Sequence, residues 1–178
     1  MNIKALALAA VTTISGVAIA PEAKASGLRQ LDYKHAGLVG AIRQTGINFR
    51  INPGECWKRN SYGWYAAYRN EMVICQENKR SVGTIAYWTA EDLDTIRHEA
   101  QHLIQDCVDG RRQGRLDSVY QDPIGLAKST FSTRQIQGIL DAYSTQSDHI
   151  KVMELEAFAV ATLNKPLEQA SDIRHYCF

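Results

Sequence analysis

The pattern of apolar and polar residues predicts a helix and then a strand near the start of the chain. Over residues 27–46, apolar side chains recur near helical spacing, and Gly46 ends the pattern. Residues 47–51 alternate between apolar and polar positions, which is typical of a half-buried strand. An Asn-Pro-Gly sequence follows at residues 52–54 and predicts a turn.

The next segment has the composition of a β-hairpin. Residues 57–76 are rich in Tyr, Trp, Val and Ile, with a turn signal at Arg69-Asn70-Glu71. We predict strands near residues 63–68 and 72–76, followed at residues 82–88 by a short edge strand or an irregular lead into a helix. Together with the strand at residues 47–51, they predict a small antiparallel sheet.

An amphipathic helix is predicted to follow this sheet. Thr89 can cap its first turn, and Asp92, three residues later, completes the pattern of a capping box. The apolar positions form one stripe along the helix: Leu93, Ile96, Ala100, Leu103, Ile104 and Cys107. His98 and His102 fall on the opposite, polar face.

The second half of the chain is predicted to be a polar connector followed by helices. Residues 110–132 have the composition of a long loop, and helices follow at residues 134–143 and 148–163, ending before Pro166. Arg111, Arg112 and Arg115 in the connector are expected to be solvated, although such a trio could also bind an acidic group. The absence of repeats and linkers from the sequence predicts one α+β domain over residues 26–178.

The first 25 residues differ from the rest of the chain. Lys4 gives a short basic start, the 16 residues 5–20 are uncharged and rich in Ala and Val, and Ala23-Lys24-Ala25 is a small-x-small cleavage site. A run of this length is short for a membrane anchor, which is the alternative. We therefore predict a signal peptide over residues 1–25 and a secreted or periplasmic mature protein.

The charge balance narrows the range of partners. Of 20 basic and 19 acidic residues in the chain, residues 1–25 contain Lys4, Lys24 and Glu22, which leaves 18 of each in the mature protein. This balance gives no basic field for nucleic acid or for a membrane surface, so neither is an expected partner. We expect the mature protein to be a monomer.

The cysteines predict two disulfides. Cys56, Cys75, Cys107 and Cys177 all lie in the exported part of the chain, and four cysteines allow three pairings. We favour Cys56–Cys75, which brackets the hairpin, and Cys107–Cys177, which ties the end of the chain to the amphipathic helix. No C-x-x-C sequence occurs, so a cysteine zinc site or a redox motif is not expected.

The amphipathic helix contains His98-Glu99-Ala100-Gln101-His102, an H-E-x-x-H motif. Residues four apart share a helix face, so both imidazoles can bind one zinc ion. Glu99 lies about 100° round the helix from His98, close enough to reach a water at the metal without binding the metal itself. The alternative is that the two histidines are solvated surface residues.

A zinc ion on this motif needs a third protein ligand beside an open position for water. The extended motif with a third histidine fails, because that position is Val108. The helix at residues 148–163 is apolar nearly all round and should be buried, yet it carries Glu154 and Glu156. A buried carboxylate needs a cation or hydrogen-bond donors. Either glutamate could meet the metal, or the pair could form a buried salt bridge, for example Glu156 with an arginine.

The two helices together resemble the gluzincins, which are zinc metallopeptidases with H-E-x-x-H on one helix and a ligand glutamate on a later one. In several of their families the second helix contains the sequence Glu-x-Glu-Ala, and this chain has Glu-Leu-Glu-Ala at residues 154–157. The resemblance implies a minimal zincin-like fold: a small antiparallel sheet, the H-E-x-x-H helix and a C-terminal glutamate-bearing helix. It also implies zinc on His98, His102 and Glu154, with Glu99 as general base.

The resemblance further implies a Tyr or His that stabilises the oxyanion, for which the candidates are Tyr143, His149 and His175. Many gluzincins have Asp or Asn beside the alanine of the second helix, where it supports a motif histidine, but this chain has Phe158. The residues that could take over this support are Asp106, Asp141 and Asp148.

These features predict a zinc-dependent metalloendopeptidase that acts on a peptide or protein substrate, with Zn²⁺ as its cofactor. Two alternatives remain. One is a zinc amidase that acts on cell-wall peptides in the exported compartment. The other is a secreted, non-catalytic binding protein with a vestigial zinc site.

Overall fold

The structure is a computed structural model that describes residues 30–59, 61–111 and 114–178. Within these ranges, six α-helices and one three-stranded sheet form the α+β fold that the sequence predicts. The helices are α1 (Tyr33–Gln44), α2 (Ala90–Val108), α3 (Pro123–Thr130), α4 (Thr133–Ala142), α5 (Asp148–Leu163) and α6 (Pro166–Tyr176). The strands are β1 (Asn48–Ile51), β2 (Gly63–Ala66) and β3 (Glu71–Ile74).

The predicted signal peptide at residues 1–25 lies outside the described residues. None of the helices in the described ranges is long and apolar enough to cross a membrane.

Helix α1 begins at Tyr33, not near residue 27 as the apolar pattern predicted. The Asp32 carboxylate accepts hydrogen bonds from the backbone N–H groups of Lys34 and His35, so the first helical turn forms immediately after Asp32. Gly46 has a φ of 77°, a left-handed conformation that glycine adopts without strain, and it directs the chain into β1.

The sheet is mixed, so the prediction of an antiparallel sheet was wrong in this respect. Its strand order is β1-β3-β2, with β2 and β3 antiparallel and β1 and β3 parallel. The segment after β1 passes over the C-terminal end of β3 before β2 begins, and the Cys56–Cys75 disulfide ties this segment to that end. As a result β3 lies in the middle, with all four of its residues buried, and β2 lies at an edge.

The lead into α2 is irregular, which is one of the two forms predicted for residues 82–88. Helix α2 itself begins with the predicted capping box between Thr89 and Asp92. Its apolar stripe packs into a cluster with β3, α1 and α6. The opposite face is also covered, because α5 packs against it. The alternative that His98 and His102 are solvated is therefore wrong: they are only 8% and 5% exposed.

The C-terminal half contains two helices that the sequence analysis did not predict. Helix α3 lies within the stretch predicted as a loop; Asp122 caps its N-terminus and Pro123 opens its first turn. Helix α6 starts at Pro166, which was interpreted only as the end of the preceding helix. Helices α4 and α5 lie where they were predicted. A second apolar cluster joins α3, α4 and α5: Ala127, Phe131, Ile139, Leu155, Phe158 and Ala159.

Both predicted disulfides are confirmed. Cys56 pairs with Cys75, and Cys107 at the end of α2 pairs with Cys177 just after α6. The second bond fixes the end of the chain to the helix that carries the H-E-x-x-H motif. Two disulfides indicate an oxidising, non-cytoplasmic environment.

Candidate metal centre

Three side chains from two helices converge on one point. His98 and His102 lie one turn apart on α2, and their Nε2 atoms are 3.1 Å from each other. Glu154 extends from α5, and its Oε2 lies 3.2 Å from His98 Nε2 and 3.5 Å from His102 Nε2. The sequence proposed these three residues as ligands, and the structure brings them together as a group that can hold a metal ion.

The geometry of this group fits a small metal ion. In a tetrahedral zinc site with metal–ligand distances of about 2.0–2.1 Å, two ligand atoms lie about 3.3–3.4 Å apart. The three distances of 3.1, 3.2 and 3.5 Å lie on both sides of this value. In addition, Glu154 Oε2 is buried and receives no hydrogen bond of acceptable geometry from the described residues. A cation at the centre of the group would satisfy this oxygen.

The charges of the group favour a cation as well. Burial raises the pKa of Glu154, but the neighbouring His102 and His98 outweigh burial and hold it well below its usual range. Burial lowers the pKa of His102, but the Glu154 charge and hydrogen bonding raise it to about 9. The histidines thus favour the ionised form of the Glu154 carboxyl, which is the form that binds a cation.

Glu99 lies beside this group on α2 and is 6% exposed. Burial raises the pKa of its carboxyl, an effect that the charges of His98 and His102 partly offset. The backbone N–H of Tyr65 in the edge strand β2 lies near the Glu99 carboxyl and favours its ionised form. Glu99 therefore lies between the three possible ligands and the backbone of an edge strand.

Gly63 allows β2 to approach α2 closely. A Cβ atom at this position would lie 2.7 Å from Thr95 Cγ2, 2.8 Å from the Val73 carbonyl oxygen and 3.4 Å from Glu99 Cγ. The first two distances are too short for a non-bonded contact of a Cβ atom. The absence of a side chain at Gly63 is thus what lets the edge strand reach the H-E-x-x-H helix.

The support of His102 comes from Gln105, a residue that the sequence analysis missed. Gln105 Oε1 lies 2.8 Å from His102 Nδ1. None of the three predicted substitutes makes this contact: Asp106 accepts a hydrogen bond from Tyr65, Asp141 from Gln137 and Asp148 from Lys151. The available signal was the spacing, because residues three apart lie on one face of a helix.

His98 has no comparable support. Its Nδ1 atom is buried and has no hydrogen-bond partner within the described residues. The ring of Phe158 packs against it, with the ring centroids 4.4 Å apart. Phe158 thus lies beside a motif histidine, but it provides an apolar contact where many gluzincins have a hydrogen-bond acceptor.

Glu156 points away from the three ligands and is fully buried. The predicted alternative of a salt bridge with an arginine is wrong, since no basic side chain pairs with it in the described parts of the chain. Its carboxylate instead accepts hydrogen bonds from the side chains of Gln101, Gln105 and Ser118 and from the backbone N–H groups of Val119 and Tyr120. These donors explain how a carboxylate without a cation is tolerated here.

Of the three candidate oxyanion stabilisers, Tyr143 lies next to the group. Burial raises the pKa of its phenol, and the nearby charges of Glu154 and Glu99 raise it further. His149 is engaged elsewhere, with its Nε2 2.6 Å from the Leu116 carbonyl oxygen. His175 is exposed and packs against Tyr176 near the C-terminus.

Within the described residues, the arginines of the connector make no contact with His98, His102 or Glu154. Arg111 donates to the Thr45 carbonyl oxygen and to Asn70, and exposed Arg115 pairs with Asp117. Arg112 lies outside the described residues.

Comparison with known proteins gives one result. Residues 28–178 match the model of a family described as a domain of unknown function, DUF8637. No curated protein and no solved structure matches the chain.

Proposed function

We propose that this chain, which belongs to the DUF8637 family through residues 28–178, is a zinc-dependent metallopeptidase of the gluzincin type. The observation that carries the proposal is the convergence of His98, His102 and Glu154 at distances of 3.1–3.5 Å beside the buried carboxylate of Glu99. Two imidazoles and one carboxylate are the ligand set of several catalytic zinc sites, which keep a fourth position open.

The chemistry divides between the metal and the chain. His98, His102 and Glu154 would hold the zinc, which would serve as a Lewis acid that lowers the pKa of a water to about 7 and polarises a carbonyl group. Glu99 then accepts the proton of the attacking water and delivers it to the amine that leaves. Because burial raises the pKa of Glu99, this carboxylate accepts a proton more readily than an exposed one.

Two further groups of the chain have roles in the proposed reaction. The Tyr143 phenol, which lies near Glu154, donates a hydrogen bond to the oxyanion that develops on the substrate. Strand β2, at the edge of the sheet and next to Glu99, aligns an extended peptide by backbone hydrogen bonds.

Metal content is the first test of the proposal. Elemental analysis of the purified protein should give close to one zinc per chain, and Glu154→Gln should abolish binding because it removes the anionic ligand. Glu91→Gln, a change of another partly buried carboxylate at the far end of α2, is the matched control and should keep the zinc. A parent protein without metal after incubation with zinc would overturn the proposal.

Activity is the second test. Glu99→Gln should keep the zinc and lower hydrolysis of casein by about 10²–10⁴-fold, since it removes the proton acceptor. Undiminished hydrolysis in this variant would contradict the role of Glu99. Cleavage of cell-wall peptides but not of casein would favour the amidase, and bound zinc without hydrolysis of either substrate would favour the non-catalytic binding protein.

Export is also part of the proposal. We propose that residues 1–25 are removed as a signal peptide and that the mature protein is secreted or periplasmic, which agrees with the two disulfides. The mass of the exported protein should correspond to a chain that begins at Ser26 with both disulfides formed. A full-length chain in the cytoplasmic fraction would contradict this part.

A further inference from the structure

Gln105 connects the H-E-x-x-H helix to the helix that carries Glu154. It is fully buried, three residues after His102 on α2. Its Oε1 lies 2.8 Å from His102 Nδ1, and its Nε2 lies 3.0 Å from both the Met153 carbonyl oxygen and Glu156 Oε1 on α5. The Gln105 amide thus contacts the proposed ligand His102 and also two groups on either side of the proposed ligand Glu154.

The partners of Gln105 determine the orientation of its amide. The Met153 carbonyl and the Glu156 carboxylate, on which several donors converge, can only accept hydrogen bonds, so the NH₂ group of Gln105 must face them. A flipped amide would place its oxygen against two other oxygens. The side-chain oxygen of Gln105 consequently faces His102.

This orientation in turn determines the tautomer of His102. An amide oxygen can only accept, so His102 must carry a hydrogen on Nδ1 and donate it to Gln105. Neutral His102 then has its lone pair on Nε2, which is the atom that faces His98 and Glu154. The chain of contacts from Glu156 through Gln105 prepares His102 to bind a metal through the correct nitrogen.

We propose that Gln105 is a positioning residue that fixes the tautomer and ring orientation of His102 for metal binding. The inference rests on the proposed function, because it requires a metal on His98, His102 and Glu154. It also assigns a role to Glu156, the second glutamate of α5, which holds the Gln105 amide in place. Loss of such a supporting contact typically weakens metal binding about 10–100-fold.

Gln101 provides a matched control on the same helix. It is 1% exposed, and its Nε2 also lies 3.0 Å from Glu156 Oε1. Its side chain makes no hydrogen bond with either motif histidine in the described residues. Changes at Gln101 and Gln105 therefore remove a similar buried contact with Glu156, but only the change at Gln105 removes the contact with His102.

The experiment compares Gln105→Met and Gln101→Met in the full mature protein, since methionine preserves most of the side-chain volume. Zinc affinity is measured by chelator competition at one fixed pH, and stability of the metal-free protein by urea unfolding. Both variants should be less stable than the parent. Gln105→Met should bind zinc about 10–100-fold more weakly, whereas Gln101→Met should keep the parental affinity.

A third variant separates positioning from general stability. Gln105→Glu keeps an oxygen that accepts from His102 but loses the NH₂ group and places two carboxyl groups together. It should be less stable than Gln105→Met yet bind zinc more tightly than that variant. A purely structural role for Gln105 would give the opposite order of affinities.

The histidine ring nitrogens give a direct readout. In metal-free, ¹⁵N-histidine-labelled protein, a slowly exchanging Nδ1–H signal of His102 should be present in the parent and in Gln101→Met. In Gln105→Met, which lacks the accepting oxygen, this hydrogen should exchange rapidly and its protected signal should be absent. Its absence from the parent would overturn the inference, as would equal losses of zinc affinity in both methionine variants or no loss in Gln105→Met. A parent that binds no zinc would remove the proposed function, and the ring signal would then report separately on the contact with Gln105.

Discussion

Glu91, in the first turn of α2, lies close to other carboxylates. Burial raises the pKa of its side chain, and the charges of Glu77 and Asp92 raise it further, to about 7 from an ordinary value of 4.5. The folded protein therefore binds more protons than the unfolded chain between these two values. The contribution of Glu91 to stability is largest below about pH 4.5 and is lost as the pH rises through about 7.

Replacement of this carboxyl group should remove the pH dependence that it causes. We expect Glu91→Gln to be more stable than the parent by about 1 kcal/mol at pH 8, a figure reduced for solvent screening of this half-exposed group, and equal to it near pH 4.5. Urea unfolding of both proteins at several pH values measures the difference. Glu55→Gln is the control, because hydrogen bonding to its own backbone N–H and to Arg50 lowers the pKa of Glu55, so the change should not stabilise the protein at pH 8. A constant difference between parent and Glu91→Gln at all pH values would contradict the assignment.

The sequence identifies some individual residues of the candidate site but not others. The spacing of His98 and His102 places them on one helix face wherever the helix packs. Glu154 and Glu156 are two residues apart, about 200° round the helix, so only one of them can meet both motif histidines. Which one does so depends on the rotation of α5 about its axis, which packing in three dimensions determines. The role of Gln105 depends on the same rotation.

Among the elements, β2 depends most visibly on one residue. Gly63→Ala would place a Cβ 2.7 Å from Thr95 Cγ2 and 2.8 Å from the Val73 carbonyl oxygen. Backbone must therefore move away from α2, at a cost of about 1–3 kcal/mol. We also expect lower peptidase activity, because the Tyr65 N–H moves away from Glu99.

The measurements are urea unfolding and casein hydrolysis. Gly54→Ala is the matched control, since a Cβ at Gly54 meets no atom within 4 Å. It should leave both quantities close to those of the parent. Parental stability and activity in Gly63→Ala would show that β2 can retreat from α2 without consequence.

Helices and strands could be predicted where the residues that determine them lie close together in the sequence. Helices α2 and α5 are long, and each begins with a side-chain cap, so their patterns dominate any alternative. Pro166 ends one helix and also opens α6, and a short apolar pattern after it gives little independent signal. The direction of β1 relative to β3 depends on the path of the chain over the sheet, which the alternation of side chains does not encode.

The whole molecule is organised around the contact between two apolar clusters. One cluster joins the sheet with α1, α2 and α6, and the other joins α3, α4 and α5. His98 and His102 lie on α2, which packs in the first cluster, and Glu154 lies on α5, which packs in the second. Phe158 of the second cluster packs on His98. The candidate metal centre lies where the two clusters meet, so its geometry depends on the packing of the complete chain.

This division has a consequence for the order of events in the cell. The two histidines and Glu154 are separated by about 50 residues of chain, so no ion-binding group exists until the last third of the protein has been made and has docked. An exported polypeptide that crosses a membrane unfolded cannot carry an ion across with it. Under the proposed export, this chain would acquire a metal only where it folds, and the proposed hydrolytic activity would begin only outside the cytoplasm.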